Sequence, residues 1–161
     1  MKRCPSCGKS DLRSGTVPHH LTVGEHRFSG RMQGEICNAC NNSVVGVNDL
    51  VMFELGVGEL LIRSGQASSS PEAFRFMRKS LGMRAVELAD LLGVTLETVS
   101  MWENGKLPIE TRSLALLGCM VIDAITERKI TINLLRATRS PTKLTKTTLL
   151  LDGVNVWPDV P

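Results

Sequence analysis

Two cysteine pairs about thirty residues apart constrain the amino-terminal part of this chain more than any other feature: Cys4-Pro-Ser-Cys7 and Cys37-Asn-Ala-Cys40. Each CxxC turn aims two thiolates at one point, and two such turns complete the closed tetrahedral sulfur shell that zinc prefers. A redox dithiol needs only one pair, usually opening a helix in a thioredoxin-like setting that is absent here. Stable disulfides do not suit a reducing cytosol. The expected group is therefore a structural zinc ion held by Cys4, Cys7, Cys37 and Cys40. A closed shell keeps no position for water, so the metal folds the module and does not catalyse.

Between the pairs, residues 16–23 and 27–36 read as extended stretches, with Gly24 and Gly30 as turn points, which predicts a small antiparallel sheet carrying both knuckles. The module is zinc-ribbon-like and too small to fold without its metal. His19, His20 and His26 fall in the polar hairpin region. Four cysteines already satisfy the metal, so the histidines are expected to be exposed or packing residues. Cys119 sits in the apolar run 114–122 and is expected to be a small buried hydrophobe.

A second pattern occupies residues 81–105, LGMRAVELADLLGVTLETVSMWENG. Val86, Leu88, Ala89, Leu91 and Leu92 precede a turn at Gly93, and Val99 and Trp102 follow it at helical spacing. Gly93 relieves a sharp turn, Thr95 can cap the next helix, and Asn104-Gly105 can end it. Two short helices joined by a tight turn follow. Upstream, Ser70 caps and Pro71 opens a first helix with Phe74, Met77 and Leu81 inward. Downstream, a fourth helix starts near Glu110, with Leu114, Leu117, Val121 and Ile122 as its buried face, and residues 130–137 form a fifth.

The segment 71–121 resembles the Cro/repressor-type (Xre-like) helix-turn-helix family, through its Leu-Ala-x-Leu-Leu-Gly-Val and Ser-x-Trp-Glu-x-Gly runs. The resemblance implies a recognition helix in the DNA major groove, whose candidate contacts are Thr95, Leu96, Glu97, Ser100 and Met101. None of these is the arginine that most often reads guanine. Arg84, Lys79 and Lys106 are candidate phosphate contacts, with a solvated charged face as the alternative. The net charge of +3 does not concentrate here, because from 71 to 118 six cations (Arg75, Arg78, Lys79, Arg84, Lys106, Arg112) balance six acids. DNA binding therefore rests on the motif and not on bulk charge.

Residues 49–63 have apolar positions at helical spacing interrupted by Gly56 and Gly58, which predicts a helix broken or ended near Gly56. Its Leu50, Val51, Phe53, Leu60, Leu61 and Ile62 are expected to pack on the zinc module or a partner. The expected organisation is α+β, mainly α. A zinc module with its following helix occupies 1–63, a serine-rich linker 64–70, a five-helix helix-turn-helix domain 71–138 and a carboxy-terminal extension 139–161. In that extension Lys143 and Lys146 precede Leu149-Leu150-Leu151, and Trp157 is a candidate anchor; a hairpin, a dimer contact and disorder all remain open. No apolar run is long enough to span a bilayer and the first residues are not a signal segment, so a cytoplasmic protein is expected.

Two CxxC knuckles, a linker and a Cro-type helix-turn-helix are similar, in order and length, to the zinc-binding antitoxins of the MqsA (YgiT) type. The resemblance implies a bacterial autorepressor and not an enzyme. A homodimer through the carboxy-terminal domain binds a palindromic double-stranded DNA operator, and the zinc module blocks a ribonuclease toxin. The zinc-ligand positions of the family fall on Cys4, Cys7, Cys37 and Cys40. Its two base-reading positions, an asparagine and an arginine, fall on Glu97 and Met101. Two alternatives follow: a protein-interaction adaptor whose helix-turn-helix is mainly a dimerisation scaffold, and a solitary repressor without a toxin.

Overall fold

Inward and outward side chains alternate along the first strands. In β1 (Leu12–Val23) residues Val17 and Val23 are buried and Gly15, His19 and Leu21 half-buried, while in β2 (His26–Cys37) the inward set is Phe28, Gly30, Met32, Gly34 and Ile36. The computed structural model describes residues 3–65 and 70–139. The linker residues 66–69 and the extension from 140, with Lys143, Lys146, the leucine run and Trp157, lie outside the described residues. β1 and β2 form an antiparallel hairpin with Val23 opposite His26 across the two-residue turn Gly24-Glu25, and β3 (Ser43–Val45) adds to β2, giving the order β1-β2-β3. Gly24 opens that turn at φ +57°, as a type II′ hairpin turn requires.

Gly30 is not a turn point. It sits mid-strand opposite His19, and a Cβ there would run into the ring of Phe53. The glycine leaves room for the next helix to lie against the sheet. β1 is an edge strand, and in a two-residue hairpin the residues flanking the turn exchange both backbone hydrogen bonds. The alternation from Val23 then points the nitrogen of Pro18 to the free edge, where it has no hydrogen to offer an incoming strand.

Helix α1 (Val47–Arg63) runs unbroken through Gly56 and Gly58, contrary to the expected break. Packing outweighs the intrinsic penalty of glycine. Gly58 is buried with Val121 and Met77 at 3.3 and 3.4 Å from where a Cβ would stand, so the residue permits close helix contact. The buried face of α1 is Leu55, Val57, Gly58 and Leu61, whereas Val51 and Leu60, expected to pack, are 39% and 58% exposed.

The carboxy-terminal half forms five helices: α2 (Pro71–Ser80), α3 (Ala85–Leu92), α4 (Leu96–Glu103), α5 (Thr111–Ile125) and α6 (Ile130–Arg139). With α1 there are six among the described residues. The caps follow the sequence. Ser70 Oγ accepts from the Ala73 amide at 3.1 Å, Thr95 Oγ1 from the Thr98 amide at 3.1 Å, and Gly93 and Gly105 take φ +75° and +67°. One apolar core joins Leu55, Val57 and Leu61 of α1 to Phe74, Met77, Leu88, Val99, Trp102, Leu117 and Val121, with Val23 at the hairpin end also part of it. Helix α1, placed by sequence with the zinc module, thus lies against α2 and α5.

Cys119 is exposed, a correction to the expectation of burial. The inward stripe of α5 is Leu114, Leu117, Gly118 and Val121, and position 119 shares the outer face with Ala115.

The two kinds of helical glycine separate cleanly by substitution. Gly56 has nothing within 4 Å of an added Cβ, so Gly56→Ala is expected to raise stability by up to about 1 kcal/mol. Gly118 has three Ile62 carbons at 3.0, 3.1 and 3.2 Å, so Gly118→Leu is expected to lower it by about 1–3 kcal/mol. Urea denaturation of the zinc-loaded protein measures both.

Candidate metal centre and nucleic-acid interface

The two knuckles are built alike. The Cys4 amide donates to Lys9 O at 2.9 Å and the Gly8 amide to Cys4 O at 2.8 Å; the Cys37 amide donates to Asn42 O at 2.9 Å and the Asn41 amide to Cys37 O at 2.8 Å. Gly8 and Asn41, each directly after a second cysteine, both take left-handed backbone, φ +74° and +57°. The repeated turn folds each pair around one point. The Asn38 side chain ties the second knuckle to the first loop, donating to Asp11 Oδ1 at 2.8 Å and accepting from Arg13 Nε at 3.0 Å.

The four sulfurs lie within 4.8 Å of one another, with Cys4–Cys40 and Cys7–Cys37 at 3.6 Å. A tetrahedron with Zn–S bonds of about 2.3 Å has sulfur–sulfur edges of about 3.8 Å, so the donor set fits a structural zinc ion. The first cysteine of each pair is buried and the second exposed. No histidine belongs to the cluster. His19 meets Phe53 edge-on at 5.2 Å between ring centroids, His20 Nδ1 lies 2.9 Å from Ser29 Oγ, and His26 is exposed.

Without metal the thiols cannot all be charged at once. Cys4 is lowered to about 7, chiefly by the Cys7 amide acting against desolvation, with the Ser6 amide and neighbouring thiols adding. Cys40 is pushed up to about 12: the Asn42 amide favours its thiolate, but desolvation and the adjoining Cys7, Cys4 and Cys37 outweigh that amide. A divalent cation reverses this balance by paying the repulsion among four thiolates.

The second candidate site begins with an ion pair. Arg78 on α2 and Glu103 at the end of α4 are both 8% exposed. Arg78 donates to both carboxylate oxygens, with Nη2 at 3.0 Å from Oε2, and also to the Met83 carbonyl. Arg75 Nε adds a third bond to Oε2 at 3.1 Å. Trp102 packs edge-on to Phe74 at 5.6 Å beside them. Together these fix α4 against α2 while its other face stays in solvent.

On that outer face Leu96, Glu97 and Ser100 are exposed and Met101 half-buried; with Asn104 and Lys106 they line a shallow groove. Thr95 is also exposed, but its hydroxyl is engaged in the cap with Thr98. Lys79 and Lys106 are exposed. Arg84 is exposed and tied to Glu87, whose carboxylate accepts from the Arg84 amide at 2.7 Å and from its Nε at 3.0 Å.

A family described as the antitoxin component of a bacterial toxin-antitoxin system, MqsA, matches residues 1–124, spanning both knuckles and the helix-turn-helix. The chain belongs to the MqsA antitoxin family. A comparison with curated proteins gave no match. The family match covers both candidate sites of this MqsA-family chain, and it ends within α5, before α6.

Sequence reasoning missed the Arg78–Glu103 pair, although its signal was present. Arg78 continues the inward spacing of Phe74 and Met77, and Glu103 follows the buried Trp102, so opposite charges interrupt two apolar faces.

Two outcomes follow. The protein is expected to hold one zinc per chain at neutral pH and to release it on acidification, because each ligand must be deprotonated; Cys37→Ser abolishes retention, with metal content after gel filtration as the readout. Burial alone would raise the Glu103 carboxyl, but Arg78 and Arg75 outweigh it and hold the group below its ordinary value of 4.5. Its contribution is therefore full above that value and lost as pH falls through the lower folded-state value. Glu103→Gln is expected to cost about 3 kcal/mol at pH 7 and progressively less in acid, when urea midpoints of variant and parent are compared at each pH.

Proposed function

We propose that this chain is a dimeric, zinc-containing transcriptional regulator of a toxin-antitoxin operon. Its helix-turn-helix represses its own promoter by binding a palindromic operator, and its zinc module neutralises a ribonuclease-type toxin in the cytoplasm. In this reading the chain is not an enzyme, and the zinc is a folding element. The observation that carries the proposal is the match to the MqsA family across residues 1–124, in a chain whose four cysteines converge and whose recognition helix keeps a solvent face. Thr95, Leu96, Glu97, Ser100 and Met101 would face base edges, and Lys79, Arg84 and Lys106 the phosphates. Dimerisation through the carboxy-terminal half is supported by Ile130 and Leu134, one turn apart on α6 and 41% and 61% exposed.

One observation favours a second reading, in which the chain is mainly a protein adaptor and the helix-turn-helix a scaffold for its dimer. An acid at position 97 and a methionine at 101 give the recognition face little of the usual base-reading chemistry. The neighbouring open reading frame distinguishes an antitoxin, which is expected beside a gene for a small ribonuclease-like protein, from a solitary repressor without a toxin.

Capture of genomic fragments by the full-length, zinc-loaded protein, followed by sequencing, is expected to enrich a palindrome near its own promoter. Retention no tighter than that of random duplex at matched salt overturns the repressor reading and favours the adaptor.

A further inference from the structure

The recognition face of α4 is short of hydrogen-bonding groups, and the structure shows where the missing ones have gone. Positions 96, 97, 100, 101 and 104 share one side of the helix. Of these, Asn104 would be the natural reader of adenine, but its side-chain amide donates to the Ser100 carbonyl at 2.7 Å and lies 3.3 Å from Ser100 Oγ. Thr95 is engaged in the cap. Lys106 stands past the Gly105 turn at the far end of the helix, whereas the amino-terminal residues of a recognition helix meet the bases. What remains at the leading end is Leu96, 51% exposed at the first helical position, then Glu97, then Met101 one turn on. Among the described residues the Glu97 side chain makes no hydrogen bond and no ion pair.

An apolar side chain fits the C5-methyl of thymine. A carboxylate accepts from an exocyclic amino group, N4 of cytosine or N6 of adenine, but from no acceptor edge of guanine, and it suits cytosine better because the N7 acceptor beside the adenine amino group repels it. Resting on the DNA-binding reading above, we propose that this repressor recognises its operator half-site through thymine methyl groups, met by Leu96 and Met101, and one cytosine amino group, met by Glu97. Lys106, on the same groove, offsets the charge that Glu97 brings near the phosphates. Specificity is then carried by methyl burial and a single acceptor, and guanine-directed contacts play no part.

The test uses the full-length zinc-loaded protein in three steps. Binding selection from a random duplex pool gives an enriched site. Titrations then compare that site with versions in which single thymines are replaced by uracil, which removes only the methyl. Uracil at one or two positions per half-site is expected to weaken binding about fourfold each, the worth of one buried methyl group. In Leu96→Ala one of those positions should become indifferent to uracil, and Glu97→Gln should exchange the preference for cytosine for one for adenine. Leu96 and Glu97 are exposed, so both variants keep the core, and an unchanged urea midpoint verifies this. An enriched site that is indifferent to uracil throughout and keeps its preference in Glu97→Gln overturns the inference while DNA binding stands. No enriched site at all overturns the DNA-binding reading itself, and the inference with it.

Discussion

Helix α1 meets α5 through glycine on both sides. Gly58 leaves space against Val121 and Met77, and Gly118 leaves space against Ile62, so the two backbones approach more closely than leucine-lined helices would allow. The same helix, one to two turns earlier, presents Phe53 to the sheet at Gly30 and His19. A single rigid rod therefore carries the zinc-bound sheet at one end and enters the helical core at the other. The hairpin end adds Val23 to that core, so the sheet has two points of attachment. The position of the metal module relative to α4 depends on these contacts more than on the short segment that joins them in sequence.

The second fixed relation is the Arg78–Glu103 pair. It is buried, bidentate and assisted by Arg75, and it stands where α4 ends. A buried ion pair contributes little net stability compared with apolar residues of equal size, but removing one partner leaves the other charge stranded. Its effect is on placement: α4 can sit on α2 in one way that satisfies both charges. The cap at Thr95 fixes the other end of the helix, so both termini are specified and the exposed face between them is free to vary.

Local chemistry made much of this legible in the sequence. The caps at Ser70 and Thr95, the left-handed glycines at 93 and 105, the inward stripes of α2 and α5 and the convergence of four cysteines follow from short-range rules, and the structure contains them. The features that were not legible all depend on distant partners. Propensity stops a helix at Gly56, but the tertiary contacts of Gly58 and Leu61 carry it through to Arg63. Gly30 reads as a turn by composition, yet its partner Phe53 lies more than twenty residues away. Cys119 looks buried because its neighbours are apolar, although helical phase turns it outward. In each case the residue type was read correctly and the missing information was which surface it faced.

The placement of α1 also determines where this chain could be exchanged with a relative. A chimera joined at the serine-rich segment would pair a foreign α1 with a native α5, and the reciprocal glycine contacts would have to match by chance. A join between β3 and α1, near Gly46, leaves those contacts within one parent and disturbs instead the two places where the sheet meets the helices, Phe53 with Gly30 and His19, and Val23 with the helical core. For recombination, natural or engineered, the seam of the molecule is displaced from its most linker-like sequence by the length of one helix.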